Sequence, residues 1–144
     1  MNARVSVRDT VLALMQDSLA DFLPLRVVQR TLVDPADIKA DDLDKGVLCI
    51  VHRGGSDFVN WQGREGELGT VRGTVVGFVQ VGERELPLET ERAELALLED
   101  FLTWVGEAGK PPEIGAVYPS DYTSSGQMEH PMGWFALNFE LRNV

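Results

Sequence analysis

Cysteine and histidine stand three residues apart in one apolar run of the sequence, at Cys49 and His52. A histidine can activate a thiol or share a metal ion with it. On an extended strand, however, residues three apart point to opposite faces, so these two side chains meet only if the strand bulges or turns before His52. The chain has a single cysteine. We therefore interpret Cys49 as a core thiol and predict neither catalysis nor metal binding there.

A second set of reactive side chains consists of Ser124, Ser125 and His130. A serine hydrolase needs a histidine beside its nucleophile and a carboxylate that orients this histidine. The segment has no nucleophile-elbow pattern and no evident orienting carboxylate. We interpret it as part of a polar loop.

Four aspartates, Asp34, Asp41, Asp42 and Asp44, lie close together in the sequence. Carboxylate oxygens suit magnesium or calcium. The glycine and the terminal glutamate of a calcium-binding loop are missing, and like charges favour hydration over a closed site. We interpret the cluster as a solvated loop, and cation binding is the alternative.

The segment WQGREGELG carries Gly63, Gly66 and Gly69 at intervals of three. This spacing matches neither of the common phosphate-binding loops, and Glu65 and Glu67 would repel a phosphate. We predict a glycine-rich hairpin tip over residues 53–69 rather than a nucleotide site.

Aromatic residues in the predicted loops offer a different kind of chemistry, because exposed aromatic side chains can anchor a protein partner. Phe58, Trp61 and Tyr122 are the predicted partner contacts. The sequence predicts no catalytic residue, no cofactor-binding residue and no metal ligand.

Composition limits the classes of partner. The 144 residues include 13 Lys and Arg against 23 Asp and Glu, which gives a formal net charge of −10. Such a chain repels a phosphate backbone, so we predict no specific nucleic-acid binding.

No apolar run approaches the roughly 18 residues of a membrane span, and no signal segment is visible. We expect synthesis in the cytosol and no association with a membrane.

Two amphipathic helices are predicted to position these residues. The first covers residues 7–20, with Ser6 and Asp9 in a capping arrangement and Pro24 beyond its end. The second precedes Pro111 and Pro112. Its apolar row consists of Leu95, Leu98, Leu102 and Val105, widened by Leu97, Phe101 and Trp104, while Glu91, Glu94, Glu99 and Glu107 are expected in solvent.

Five strands are predicted, over residues 25–33, 46–52, 70–81 and 114–118 and in the alternating run that ends the chain. The second is expected to be buried on both faces and to pair with the third, in which Gly73 and Gly77 indicate a twisted or bulged strand. A polar loop is predicted over residues 119–131.

These elements predict one α+β domain over residues 1–144: a mainly antiparallel mixed sheet with two helices packed on it, in the order α-β-β-β-α-β-β. The predicted core consists of Leu14, Met15, Leu19, Ile50, Val75, Leu95, Leu98, Leu102, Phe135, Leu137 and Phe139.

The order of elements resembles the phage tail terminator family, which includes lambda-like minor tail protein U and related tail proteins of Mu-like prophages. The likeness spans nearly the whole chain. It lies in the segments VRDTVLALMQDSLADFLP, GTVRGTVVGFVQV, ETERAELALLEDFLTWV and YPSDYTSSGQMEHPMGWFALNFELRNV.

The resemblance implies a structural protein that forms a homo-oligomeric ring, usually a hexamer, on the head-proximal end of the tail tube. There the ring stops tube polymerisation and supports head joining. Its implied partners are further copies of itself, the tail-tube protein and a head-completion or neck protein, and its location is the host cytoplasm during assembly and then the virion tail. A neck, connector or other tail-completion protein is the alternative, followed by a small bacterial enzyme or a ligand-binding domain.

Overall fold

A computed structural model describes residues 6–56 and 69–142 of the chain. Within these ranges three helices and five strands form an α+β fold, as predicted. The helices are α1 (Val7–Phe22), α2 (Ala40–Lys45) and α3 (Pro87–Val105), and the strands are β1 (Val27–Gln29), β2 (Val47–Ser56), β3 (Thr70–Gln80), β4 (Ala116–Ser124) and β5 (Met132–Arg142). Two single-turn 3-10 helices, Pro35–Asp37 and Pro112–Ile114, lie in the connections.

The five strands form one mixed sheet in the order β1-β2-β3-β5-β4. Strand β1 is parallel to β2, and the other three pairs are antiparallel. The predicted pairing of the second and third strands is therefore confirmed. Because β4 and β1 lie at the two ends of this order, they are the edges of the sheet.

The main core lies between the sheet and the helices α1 and α3. Strand β5 supplies Phe135, Leu137, Phe139 and Leu141, each at most 2% exposed, while the residues between them point to the other face. The alternation in the terminal segment thus correctly predicted both the strand and its buried face. A smaller cluster of Leu43, Val47, Cys49 and Phe78 packs on the opposite face.

The predicted phase of the second helix was wrong by one row. The buried residues of α3 are Thr90, Glu94, Leu97, Leu98, Phe101 and Trp104, whereas Leu95 is 40% exposed. Leu14 and Leu102 are only partly buried, and the other predicted core residues are buried. The row that begins at Leu95 and the row that begins at Glu94 are neighbours on the helix, and only the position of the sheet selects one of them.

Glycines on β3 make room for aromatic rings instead of producing a bulge. The register of β3 with β5 is continuous, and the irregularity lies on β2 between His52 and Gly54. A Cβ atom on Gly77 would lie 2.7 Å from Cζ of Phe135. The missing side chain is therefore a packing requirement.

Several predicted boundaries need correction. Only Val27–Gln29 of the segment 25–33 forms a strand, and the acidic connection contains the short helix α2. Strand β2 extends through residues 53–56, which were predicted as part of the hairpin tip. Strand β4 continues to Ser124, so the polar loop predicted over 119–131 is reduced to residues 125–131. Cross-strand hydrogen bonds offset the weak local strand preference of these polar segments.

Candidate assembly surface

Strand β4 is the most exposed regular element among the described residues. All residues from Tyr118 to Ser124 are exposed, and within residues 6–56 and 69–142 the strand pairs on one side only, with β5. The backbone N–H and C=O groups on its outer side are therefore open to pairing with another chain. The polar composition that led us to predict a loop is the composition of an uncovered edge strand.

The middle of this edge carries a β-bulge. The register with β5 shifts between Pro119 and Tyr122, so that Ser120 and Asp121 lie opposite the backbone near Asn138. Asn138 Nδ2 donates to Asp121 Oδ1 over 3.2 Å, and Ser120 Oγ lies 3.1 Å from the carbonyl oxygen of Asn138. These bonds fix the bulge, while Pro119 has no N–H to donate. Bulges and prolines limit which strands can add to an edge.

Tyr122, one of the three predicted partner contacts, lies on this edge and is 49% exposed. It pairs with Leu137, whose side chain enters the core, so Tyr122 points toward the helical side of the sheet. The other two predicted contacts, Phe58 and Trp61, lie outside the described residues. The structure therefore places one of the three predicted contacts on an exposed edge.

Tyr118 marks the opposite side of the same edge. It is 44% exposed and pairs with Glu140, which faces away from the helices. The guanidinium of Arg142 lies 4.3 Å from the centroid of the Tyr118 ring, which is a cation-π contact. The alternation of β5 predicted the side of the sheet on which Arg142 lies. The partner strand of β5, which is β4, was predicted to end at Tyr118.

Glu140 lies between two arginines on this face. Its carboxylate accepts from Arg72 Nε at 3.2 Å and from Arg142 Nε at 3.0 Å. The hydrogen bond from Arg72, followed by that from Arg142, lowers the pKa of Glu140 below its ordinary value. The edge therefore presents a charged and aromatic surface whose geometry is set by three adjacent strands.

The lowered pKa of Glu140 predicts a pH-dependent contribution to stability. A carboxylate with a depressed folded-state pKa stabilises the fold above its unfolded pKa, and this contribution is lost as the pH falls through the folded value. We expect Glu140→Gln to lower the melting temperature slightly at pH 7, and we expect the difference from the wild type to shrink as the pH is lowered from 7 through the folded-state pKa of Glu140. Thermal melts of both proteins across this range measure the difference.

Glu99→Gln is the matched control, because Glu99 is exposed on α3 and has no ion pair among those found in the described residues. A difference between wild type and Glu140→Gln that did not shrink as the pH was lowered would contradict the assignment. Salt at about 1 M should reduce the difference, because exposed pairs are screened.

Ser125 and His130 of the predicted polar loop bond to different residues, and Ser124 lies exposed at the end of β4. Ser125 Oγ donates to Glu94 Oε2 over 2.6 Å and accepts from the Trp134 backbone N–H over 3.2 Å. His130 Nδ1 lies instead 2.6 Å from Thr90 Oγ1. The contacts of Ser125 with Glu94 and of His130 with Thr90 attach the β4–β5 connection to α3, and the hydroxyl proton of Ser125 is donated to Glu94.

Glu94 is the residue that sequence reasoning missed. It was expected in solvent, but it is 2% exposed and lies beneath Ser125. Its spacing of four from Thr90 and of three from Leu97 places it on the buried row of α3. That spacing indicated a buried position, but Glu94 was assigned to solvent because its side chain is acidic.

Cys49 and His52 also lie apart, as their spacing predicted. Cys49 is buried in the smaller cluster, where Gln29 Nε2 lies 3.6 Å from its sulfur, and burial raises the pKa of the Cys49 thiol. His52 pairs with Gly73 and lines a small pocket beside the start of α1. The expected core position of Cys49 is confirmed.

The acidic segment is distributed over two small helices. Asp34 Oδ1 accepts from the Ala36 backbone N–H at 2.9 Å, and Asp44 Oδ1 accepts from Gln80 Nε2 at 3.0 Å. Within residues 6–56 and 69–142, no group of three or more histidine, cysteine, aspartate or glutamate side chains is arranged to hold a metal ion.

No helix in the described ranges combines the length and the apolar character needed to span a membrane.

Comparison of the sequence with protein-family models gives no match. The curated proteins likewise contain no sequence that matches it. The candidate surface is therefore defined by its own geometry: an exposed, bulged edge strand with an aromatic residue on each side.

Proposed function

We propose that this protein is a structural subunit of a phage or prophage tail, and specifically a tail terminator that closes the tail tube and supports head joining. The observation that carries the proposal is the exposed edge strand β4 with Tyr118 and Tyr122 on its two sides. Together with the resemblance in element order, this edge strand favours a protein that acts by assembling with other protein subunits.

The bulge supports a contact of defined register. An uninterrupted edge strand can add further strands without limit, which leads to aggregation. Here Pro119 and the shift that follows it divide the edge into two short segments. A partner must match both segments, as a specific assembly contact requires.

The two edges of the sheet differ, and this supports a ring. Strand β4 has nine residues and is largely exposed, whereas β1 has three half-buried residues beside Arg26 and Arg30. A cyclic assembly needs two different patches on each subunit, one to meet the other on the next copy. We propose that β4 provides one of these patches in a homo-oligomeric ring of six subunits.

Charge is compatible with a passage for DNA. With a net charge of −10 per chain, six copies would carry roughly −60, which disfavours adhesion of a phosphate backbone to the ring.

The proposed partners are the tail-tube protein on one side of the ring and a head-completion or neck protein on the other. Assembly would take place in the host cytoplasm, and the mature protein would lie in the virion tail.

Deletion of the gene from an inducible prophage tests the proposal. Without a terminator the tube continues to polymerise, so we expect tails several times longer than normal and no joined heads. Electron microscopy of induced lysates gives both the tail length and the fraction of tails with heads. Tails of normal length with heads attached would reject the proposal, and tails of normal length without heads would indicate a neck or connector role.

Complementation with point variants tests the surface. Tyr122→Lys places a charge at the exposed edge, so we expect it to restore normal tails poorly. Met128→Lys is the control, because Met128 is 88% exposed in the turn after β4. Equal rescue by both variants would show that the edge near Tyr122 makes no essential contact.

A further inference from the structure

An open groove with a volume of about 440 Å³ lies between the C-terminal half of α1 and the end of α3 with the segment that follows it. Leu14 and Phe22 of α1 form one apolar wall, Trp104 lies on the side of α3, and Pro111 closes the far end. Leu14 and Phe22 are half-buried, so part of their surface remains available to another molecule. The groove lies on the helical side of the sheet, apart from the outer edge of β4.

The polar lining of this groove is mostly acidic. Asp17 and Asp21 are one turn apart on α1, and Glu107 follows the last turn of α3. None of the salt bridges found within the described residues includes any of these three carboxylates. Three carboxylates and the single ammonium of Lys110 leave two negative charges in the lining.

One of these carboxylates, that of Asp21, lies where it weakens the isolated fold. A helix carries partial negative charge at its C-terminus, and acidic side chains near that end are unfavourable. Asp21 lies in the last turn of α1, and neither α1 nor α3 has a basic residue in its last turn. A cation supplied from outside would relieve this repulsion.

Lys110 shows how a cation binds at this place. Its Nζ donates to the carbonyl oxygens of Val105, at 2.7 Å, and of Glu107, and lies 3.5 Å from that of Trp104. The same ammonium is 5.7 Å from the centroid of the Trp104 ring. All three of its N–H groups are directed at backbone carbonyls, so Lys110 caps α3 and leaves the neighbouring carboxylates to a second cation.

We propose that the groove between α1 and α3 binds a lysine- or arginine-bearing segment of a protein partner. The alkyl stems of its basic residues would lie on Leu14 and Phe22, and their charged ends would reach Asp17, Asp21 and Glu107. Among the described residues these carboxylates do not converge into a metal-binding group, which favours an extended ligand over a single metal ion. This proposal does not depend on the tail function.

The test uses the full-length protein and a fluorescein-labelled octapeptide of alternating lysine and leucine. Binding is measured by fluorescence anisotropy at low salt for the wild type and for the triple variant Asp17→Asn, Asp21→Asn, Glu107→Gln. We expect the variant to bind about tenfold or more weakly. Its melting temperature should equal or exceed that of the wild type, because the unfavourable charges at the helix ends have been removed.

A control variant, Glu83→Gln, Glu85→Gln, Glu129→Gln, removes the same charge from three exposed positions outside the groove. We expect it to bind the peptide within about twofold of the wild type, allowing for the smaller long-range attraction. If both variants lost the same peptide affinity, net charge alone would explain the loss, and the proposal would be overturned.

Two further measurements locate the ligand and identify its class. Backbone amide shifts in a titration should change in the C-terminal halves of α1 and α3, and changes confined to the β4 edge would contradict the proposal. Spermidine at the same charge concentration should compete poorly, because it cannot make the apolar contacts with Leu14 and Phe22. Competition as strong as that of the unlabelled peptide would reject a protein segment as the preferred ligand.

Discussion

Replacing Gly77 by alanine is expected to lower the free energy of unfolding by about 1–3 kcal/mol, the usual cost of overpacking a core. The new Cβ atom would lie 2.7 Å from Cζ and 2.8 Å from Cδ1 of Phe135. Phe135 is completely buried in the main core, so its ring cannot move aside without displacing other side chains. Urea unfolding followed by circular dichroism measures the change.

A double-mutant cycle shows whether the ring of Phe135 is the cause. Phe135→Leu alone should destabilise the protein, and adding Gly77→Ala in that background should cost less than it does in the wild type. Gly82→Ala is the matched control, since the nearest atom to its Cβ would be 3.7 Å away, on Glu85. Additive effects of Gly77→Ala and Phe135→Leu would show that the steric explanation is wrong.

Truncation of Ser125 is the second change with a large expected effect. Ser125→Ala removes the donor to the buried carboxylate of Glu94 and the acceptor of the Trp134 N–H. A buried polar group without its partner typically costs about 1–3 kcal/mol, and more when it is charged. We therefore expect a loss of about 2–3 kcal/mol in the free energy of unfolding, measured by urea denaturation.

Variants of Glu94 separate the hydrogen bond from general packing. Glu94→Gln keeps an oxygen that can accept from Ser125, so it should destabilise less than Glu94→Ala does. The two alanine variants, Ser125→Ala and Glu94→Ala, should be strongly non-additive because they remove the same bond. Glu99→Ala, at an exposed position of the same helix, should change stability by less than about 0.5 kcal/mol. Full additivity of the two buried changes would contradict a direct interaction.

These two sites show how local patterns succeed and fail. The alternation around Phe135 correctly predicted a strand with one buried face, because successive side chains on a strand point to opposite sides. The same reasoning on α3 predicted a helix but assigned Glu94 to solvent. A helix with apolar residues on two adjacent rows has no unique buried face until another element packs against it.

The candidate surface was predicted only in part. Tyr122 was predicted to be a partner contact from its residue type, but it was predicted in a loop, whereas it lies on β4. Its position on an edge strand depends on pairing with Leu137, and the contact between Tyr118 and Arg142 depends on the same pairing of distant segments. Such pairings involve hydrogen bonds between residues far apart in sequence, which local composition does not encode.

The groove between α1 and α3 was not predicted at all. The sequence analysis assigned no role to Asp17 or Asp21, and the predicted first helix ended at residue 20, before Asp21. The role proposed for them depends on the C-terminal ends of two helices, separated by most of the chain, which line the same groove.

The sequence by itself determined the fold class, the main helices, the alternating terminal strand and the acidic character of the chain. These properties follow from short-range periodicity and from composition, which each segment carries alone. Only the tertiary structure decided the phase of α3, the burial of Glu94, the edge position of β4 and the groove between α1 and α3. Each of these depends on which distant surfaces meet, because burial and strand pairing are properties of two segments together.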